Sequence, residues 1–344
     1  MKVWLLAAGV GILVGVGLFD VLRVGGAFKT IEPHFEGRCR PIPGMPGPED
    51  VAIHPDTGIA FVSAYDRRAG ARRGAIYALN LREADPVPVE LTREFAGDFR
   101  PHGISWFRDE DGKESLFVVS HPEDRHVVEV FDVEAEAIVH RETMEGALLR
   151  SPNDVFAVGP RQFYATNDHR DPKGLWRAVE DFLRRAISDV VYFDGQTFEV
   201  VAEDVAYPNG IIGDPRGDSV FVASTTGRAV LRYRRDRETG ALSLLERYDV
   251  GTGVDNLDLG ADGRIWIGAH PNMLAFLRNA RDPENLSPSQ VLALDPGSGA
   301  IDEVFLSAGD DLSTSSVGAF YGNRLLIGSV FEDHVLLCET GGSP

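Results

Sequence analysis

Glu49 and Asp50 stand side by side directly before a short apolar run, in "PEDVAIHP". Neighbouring carboxylates repel, so the pair asks for a partner. Related pairs return along the chain: Pro101-His102, Asn153-Asp154, Pro208-Asn209 and Asp255-Asn256 each precede an apolar run, and His121, Asn167-Asp168-His169 and His270 each follow one. Nearly every one of these residues carries an oxygen or an imidazole. If the positions meet in space, the chemistry they suit is that of a hard cation. Calcium takes about six to eight oxygens from Asp, Glu, Asn and backbone carbonyls. Glu49, Asn153, Asn209, Asp255 and Asn256 offer two negative charges and three amides of that kind, whereas zinc would want more His or Cys. Successive strand residues point to opposite sides, so Asp50 and Asp154 would face away toward a second, deeper cation. Asn and Asp are also ordinary turn formers and strand-end caps. One such pair would be read that way; the return of the arrangement in four places favours a metal.

The elements that must position these residues repeat. "DVAIHPDTGIAFVSA", "HGISWFRDEDGKESLFVVSHP", "NDVFAVGPRQFYATNDH", "NGIIGDPRGDSVFVAST", "NLDLGADGRIWIGAHP" and "SVGAFYGNRLLIGSVF" begin at residues 50, 102, 153, 209, 256 and 316. Each joins two strand-like runs through a polar turn, and most are followed by two more runs, such as "AIYALNL" and "VELTREF". Four strands per unit and six units describe an all-β chain, a six-bladed β-propeller. A two-domain β-sandwich would not explain the period. In a propeller the start of each first strand and the end of each second strand share one face, so the polar pairs would crowd one mouth of the central channel. The last unit has only three clear strands, and "AFKTIEPHF" (27–35) is the natural fourth. Closing the ring that way would bring Cys39 and Cys338, the only cysteines, together as a disulfide.

Two regions stand apart from the repeat. Residues 3–19 form an uncharged run after Lys2, at the short end of a membrane span, either a secretory signal or an uncleaved signal-anchor. No convincing small-x-small cleavage site follows, so the anchor is favoured. The chain then divides into a segment at 1–26 and a propeller domain at 27–344, exported and either membrane-anchored or periplasmic or extracellular. In the second region, Trp176, Val179, Phe182, Leu183 and Ile187 fall at helical spacing, an amphipathic helix over 173–187. A net charge of −19 argues against nucleic acid as a partner.

"GPEDVAIHPDTGIAFVS", "PHGIS", "HPEDR", "NDVFAVGPRQFYATNDH", "NGI", "VDNLDL" and "GAHPN", in this order, resemble the serum paraoxonase/arylesterase family of calcium-dependent lactonases. The resemblance runs from about residue 27 to the end. It implies a six-bladed propeller with two calcium ions in a central tunnel. It carries a catalytic calcium onto Glu49, Asn153, Asn209, Asp255 and Asn256, and a structural calcium onto Asp50, Asp154 and the backbone carbonyl of Ile104. His102 and His121 match the family's proposed histidine pair, and Cys39 and Cys338 its disulfide. The stretch after "TNDH" is shorter and more charged than in animal members, and Ala269 replaces a free cysteine that some members carry before "HPN". By family analogy the 173–187 helix is a lid or a membrane contact; packing on the propeller top is the alternative.

The reaction implied is hydrolysis of lactones and aryl esters, with promiscuous phosphotriesterase activity. Calcium would polarise the carbonyl, His102 would act as general base on water, and His121 would orient it or relay the proton. His270 stays outside this set as a structural residue. No Gly-x-Ser-x-Gly elbow suggests a serine hydrolase. The alternatives are a sugar-acid lactonase on the same scaffold and a non-catalytic calcium-stabilised propeller that binds proteins.

Overall fold

The computed structural model describes residues 15–341 apart from 72, 124, 135–136 and 171–182. Six four-stranded antiparallel sheets follow one another around a ring. The first is β2 (Pro48–Ile53), β3 (Ile59–Ala64), β4 (Ala75–Asn80) and the short β5 (Val89–Glu90). Next come β6 (Pro101–Arg108), β7 (Glu114–Ser120), β8 (Val127–Val133) and β9 (Ile138–Glu145), then β10 (Pro152–Ala157), β11 (Phe163–Asn167), β12 (Ser188–Phe193) and β13 (Phe198–Val205). The fourth sheet is β14 (Pro208–Gly213), β15 (Ser219–Ser224), β16 (Ala229–Arg235) and β17 (Leu242–Asp249). The fifth is β18 (Gly253–Leu259), β19 (Ile265–His270), β20 (Ser289–Leu294) and β21 (Ile301–Ser307). The sixth is β22 (Ser315–Tyr321), β23 (Arg324–Ser329), β24 (His334–Thr340) and, returning from the other end of the chain, β1 (Gly37–Pro43). The result is a six-bladed β-propeller.

Burial follows a strand's place in its blade. The innermost β10, "PNDVFA", is buried at every residue, while the outermost β17, "LSLLERYD", is mostly exposed. Apolar side chains from facing blades fill six layers between them. Phe117, Val130, Val155 and Phe163 join the second and third blades, and Val51, Val62, Val317 and Leu326 join the sixth and first. Because each layer is shared, no blade owns a complete core, and the ring must close to bury its last one.

Closure uses β1 rather than residues 27–35. Helical residues 15–24 continue into a turn at 25–28, where Ala27 N–H donates to Leu22 O. Pro33 lacks a donor, and only an isolated bridge, His34 to Leu306, forms in that stretch. The β1–β24 register pairs Cys39 directly with Cys338, and the two are disulfide-bonded with Cα atoms 4.0 Å apart. The bridge closes a loop of 299 residues, so its removal frees a large amount of chain entropy. We expect the Cys39→Ser/Cys338→Ser variant to lose about 3 kcal/mol of stability by denaturant titration. An unchanged midpoint would mean that strand pairing alone holds the ring shut.

Gly25 and Gly26 seat the N-terminal helix on the fifth blade. Met273 N–H donates to Gly25 O at 2.9 Å, and at Gly26 (φ +78°) any Cβ would lie 2.1 Å from Pro271 O. Asn272 caps the short helix Met273–Asn279 through its side chain. Among the described residues no helix is long and apolar enough to cross a membrane. Of the helix expected over 173–187, residues 173–182, including Trp176, Val179 and Phe182, lie outside the described residues. Residues 183–187 form a turn and non-helical chain, because Arg184 adopts φ 50°, which a right-handed helix cannot contain.

Candidate active site

The six innermost strands share one irregularity. In each, pairing with the second strand slips near its start: Pro48/Asp50, Pro101/Ile104, Pro152/Val155, Pro208/Ile211, Val254/Leu257 and Ser315/Val317. Glu49, His102, Asn153, Asp154, Asn209, Asp255, Asn256 and Ser316 all sit inside these slips. They are therefore within the strands rather than before them. A bulge re-aims side chains that a regular pleat would send to alternate faces. Gly103 and Gly210 allow neighbouring strands to approach: a Cβ at 210 would meet backbone atoms of Asp255, Asn256 and Leu257 within 3 Å.

Glu49 lies at the centre of the resulting cluster. Its Oε1 lies 3.1 Å from His102 Nε2 and accepts from Asn256 Nδ2 at 3.3 Å, while Oε2 lies 3.5 Å from Arg67 Nη2. Its backbone carbonyl accepts from Ser316 Oγ at 2.5 Å and Asn256 Nδ2 at 3.2 Å. Asp255 Oδ1 accepts from Asn209 Nδ2 at 2.5 Å, and Oδ2 lies 2.7 Å from His270 Nε2. His270 thus holds a carboxylate of the cluster and belongs beside it. Asp50 and Asp154 have a different task. Asp50 takes the N–H groups of Val51 and, across the blade boundary, Ile104; Asp154 takes those of Val155 and, across the next boundary but one, Ile211. Each carboxylate staples two blades together.

These carboxylates are buried, with Glu49, Asp50, Asp154 and Asp255 at most 4% exposed. Burial pushes Asp50 well above the usual carboxylate range, and the charges of Asp154 and Glu49 push it further. Burial likewise raises Asp154, against hydrogen bonds from Ile211 and Val155. It raises Asp255 against its contact with His270. Glu49 alone goes the other way. Burial opposes its ionisation, but the positive charges of His102 and Arg67 outweigh this and bring it down to about 2.

Four buried side-chain oxygens here have no hydrogen-bond donor: Glu49 Oε2, Asn153 Oδ1, Asn209 Oδ1 and Asn256 Oδ1. They come from four blades. A buried acceptor without a donor is costly, and a hard cation is the partner that oxygen-only sets accept. The residues present therefore fit calcium. Among the described residues no group of three or more His, Cys, Asp or Glu side chains forms a metal site. The oxygen set is completed by amides, which suits calcium and not zinc.

From Glu49 a line of imidazoles runs outward. His102 Nδ1 lies 3.0 Å from His121 Nε2, and His121 Nδ1 lies 2.9 Å from His126 Nδ1. Burial, reinforced by the charges of His102 and His126, holds His121 well below the usual histidine range, so it is neutral. His126 and Arg67 are contacts that the sequence motifs did not single out. His126 closes the "HPEDRH" turn between β7 and β8, and Arg67 sits in the loop between β3 and β4; these connections differ in length and sequence from blade to blade, so neither carries a repeat signal. Asp168 and His169 follow β11 as expected; His169 is fully buried against Tyr207, with Nδ1 2.9 Å from Asp168 Oδ1. A cavity of about 350 Å³ also opens on the ring, with Asp154, Ile104, Trp106 and Asp258 in its wall.

The fold and the site together are a six-bladed propeller that gathers buried oxygens and imidazoles at the openings of its inner strands. The arylesterase family model matches residues 41–340, and the chain belongs to that family, an ester-hydrolysing enzyme. It is 34% identical over 331 residues to human serum paraoxonase/arylesterase 1, covering 91% of this chain and 92% of the relative. Rat serum paraoxonase/arylesterase 2 is 34% identical over 329 residues, again covering 91% and 92%. Among solved structures, the calcium-binding protein regucalcin from Agrobacterium tumefaciens superposes with TM-score 0.54 at 15% identity, over 90% of this chain and 97% of that one. A luciferin-regenerating enzyme gives 0.54 at 9% identity, over 89% and 98%. At these identities the two structures share the fold alone.

Proposed function

We propose that this enzyme is a calcium-dependent hydrolase of lactones and aryl esters, with phosphotriester hydrolysis as a promiscuous side activity. The observation that carries this is the set of four buried, donor-less oxygens on Glu49, Asn153, Asn209 and Asn256. Together with Asp255 they would hold one calcium, and Asp50, Asp154 and the Ile104 carbonyl a second, structural one. When bound at the first set, calcium supplies a positive charge for the acyl oxygen as it becomes an oxyanion. The chain's own residues do the rest. His102, 16% exposed at its side chain, takes a proton from water. His121, kept neutral, accepts from His102 or turns its ring toward the water. Asn256 and Ser316 fix the Glu49 backbone, and His270 fixes Asp255.

A sugar-acid lactonase is the second reading, and Arg67 favours it. Its guanidinium stands beside Glu49 with Nη1 buried and unpartnered, a positive group that a substrate carboxylate would answer. We further infer export, with residues 1–26 as a signal or anchor, residues 27–344 as the catalytic unit, and contact with a membrane through the N-terminal segment and the 173–187 stretch. A pH-stat panel of aryl esters, neutral and carboxylate-bearing lactones and phosphotriesters, run with and without EGTA, tests the function. Lactone and aryl-ester turnover should vanish with EGTA and return with calcium. Preference for carboxylate-bearing lactones would select the sugar-acid reading, and calcium binding with no turnover of any substrate would leave a binding propeller. His102→Gln should lower kcat for both ester classes by about 10²-fold. Full retention of both activities would remove His102 from the mechanism.

A further inference from the structure

We propose that the far half of the central channel is the port through which the deeper cation site, that of Asp50, Asp154 and the Ile104 carbonyl, is loaded and emptied. This rests on the reading of two calcium sites and adds a route to it: the first site would exchange at the mouth that holds His102, the second at the opposite end of the ring.

The inner strands change character along their length. Their starts are closed: Glu49, Asn153, Asn209, Asp255 and Asn256 are at most 4% exposed. Their ends are not. Ala52 and Ile53 on β2, Trp106 and Arg108 on β6, and Asp258 and Leu259 on β18 are partly exposed, although all lie on innermost strands. Solvent therefore enters the channel from the side of the hairpin turns that follow these strands. The cavity of about 350 Å³ occupies that half, and its wall runs from Asp154 and Ile104 out to Pro55 and Asp214 in the turns. Two of the three groups assigned to the deeper site thus border a space that opens on the far side.

The two ends also differ in what an ion would meet. Toward the strand starts it would have to pass the first site, which on the same reading already holds an ion, and like charges in single file repel. Toward the strand ends it meets Asp258. Asn256 occupies in its bulge the place that Asp154 occupies in its own, directly before Leu257 and Val155 respectively. Asp258 lies two residues further on, about 7 Å along the strand toward the far turns. It accepts the N–H groups of Leu259 and, in the last blade, Phe320, which fix its carboxylate in the cavity wall. An oxygen ligand at that depth gives a calcium ion that has shed part of its water a place to pause. Arg108 and Arg216 line the cavity too, but neither leaves the far end positive. Arg108 Nη1 lies 2.7 Å from Asp56 Oδ2 and Nη2 2.8 Å from Glu114 Oε1, and Arg216 shares its turn with Asp214, whose Oδ1 accepts its backbone N–H.

A removable wall position tests the port. The only cysteines are joined as Cys39–Cys338, so a thiol introduced into the cavity wall is unique. Ala52→Cys adds a single atom and leaves every assigned ligand in place. In the folded, calcium-loaded full chain its thiol should react with benzyl methanethiosulfonate, and the added ring should obstruct the cavity. The measurement is exchange of bound for radioactive calcium at constant free calcium, before and after labelling. The parent enzyme should exchange two ions at different rates, and Asp154→Asn should abolish one of the two phases. Labelling should slow that same phase on the order of tenfold, because the ion must then wait for local opening of the ring, and leave the other within about twofold. A thiol that does not react in the folded chain, or a labelled chain in which both phases keep their rates, would overturn the port. So would equal slowing of both phases, which would report one shared route. Leu259→Cys, at the partly exposed rim, is treated in the same way if Ala52→Cys does not fold. A parent enzyme that binds fewer than two ions would instead refute the two-calcium reading, and the port with it; that failure is seen before any variant is labelled.

Discussion

Glu49→Gln should cost on the order of 10³-fold in kcat/KM toward aryl esters and lactones, while leaving the ring folded. The side chain keeps its size and one oxygen, so the blades have little reason to move. What disappears is the one carboxylate of the inner set held firmly ionised, its pKa near 2. Two separate functions depend on that charge. On the proposed reading it would be half of the formal negative charge offered to calcium, the other half being Asp255. It also sits 3.1 Å from His102 Nε2, where it would stabilise the imidazolium that forms when His102 takes a proton. A glutamine amide turned the wrong way would set N–H₂ against His102 or Arg67, both donors. Calorimetric calcium titration and steady-state kinetics on the same preparation check the result. Activity within tenfold of the parent enzyme would show that this carboxylate is scaffold and would move the search for the acyl site elsewhere on the ring. Addition of excess calcium separates the two functions: partial recovery reports weakened affinity, and the unrecovered remainder reports the effect on His102.

What the sequence made legible follows from what the ring repeats. Six hairpins with like spacing announce six blades, and the polar pair at each first strand recurs because each inner strand opens on the same mouth. Even the Cys39–Cys338 bridge could be expected once closure was required. Residues 27–35 look extended in sequence, yet they do not close the ring. It is the Cys39↔Cys338 register, together with the helix-terminal turn at 25–28, that puts the pairing strand at Gly37–Pro43. The bulges are the larger omission. A slip of one residue leaves no mark in hydrophobic alternation, yet it decides where Glu49, Asn153, Asn209 and Asp255 point. His126 and Arg67 escaped for the opposite reason: each appears once, on an inter-strand loop, and only folded distance ties it to Glu49 or His121.

Chelation should cost stability as well as activity, and the electrostatics of the inner ring say why. Glu49, Asp50, Asp154 and Asp255 are buried together. Burial itself is the largest force against ionisation of each, and Asp50 and Asp154 also feel neighbouring carboxylates. Each of the latter two nevertheless accepts two backbone N–H groups and ties two blades together, so neither can be turned out to water without breaking the ring's inner seam. A divalent cation relieves the repulsion where the carboxylates stand. For calcium present at about a thousand times its dissociation constant, the stabilisation is about 4 kcal/mol, or about 6 °C of melting temperature in a chain of this size. Scanning calorimetry with calcium and with EGTA should show that gap, and Asp154→Asn should narrow it. A purely structural role for Asp154 would instead lower both melting temperatures equally. If EGTA leaves the parent enzyme's melting temperature within a degree, the buried carboxylates are being satisfied by protons, and the deeper calcium site does not exist. The two measurements read different groups, since Glu49 and Asp154 lie in different blades and in different hydrogen-bond sets, although the Glu49 charge also raises Asp154. A protein that keeps its calcium-linked stability but loses turnover in Glu49→Gln would separate the ion that holds the ring from the ion that serves the reaction.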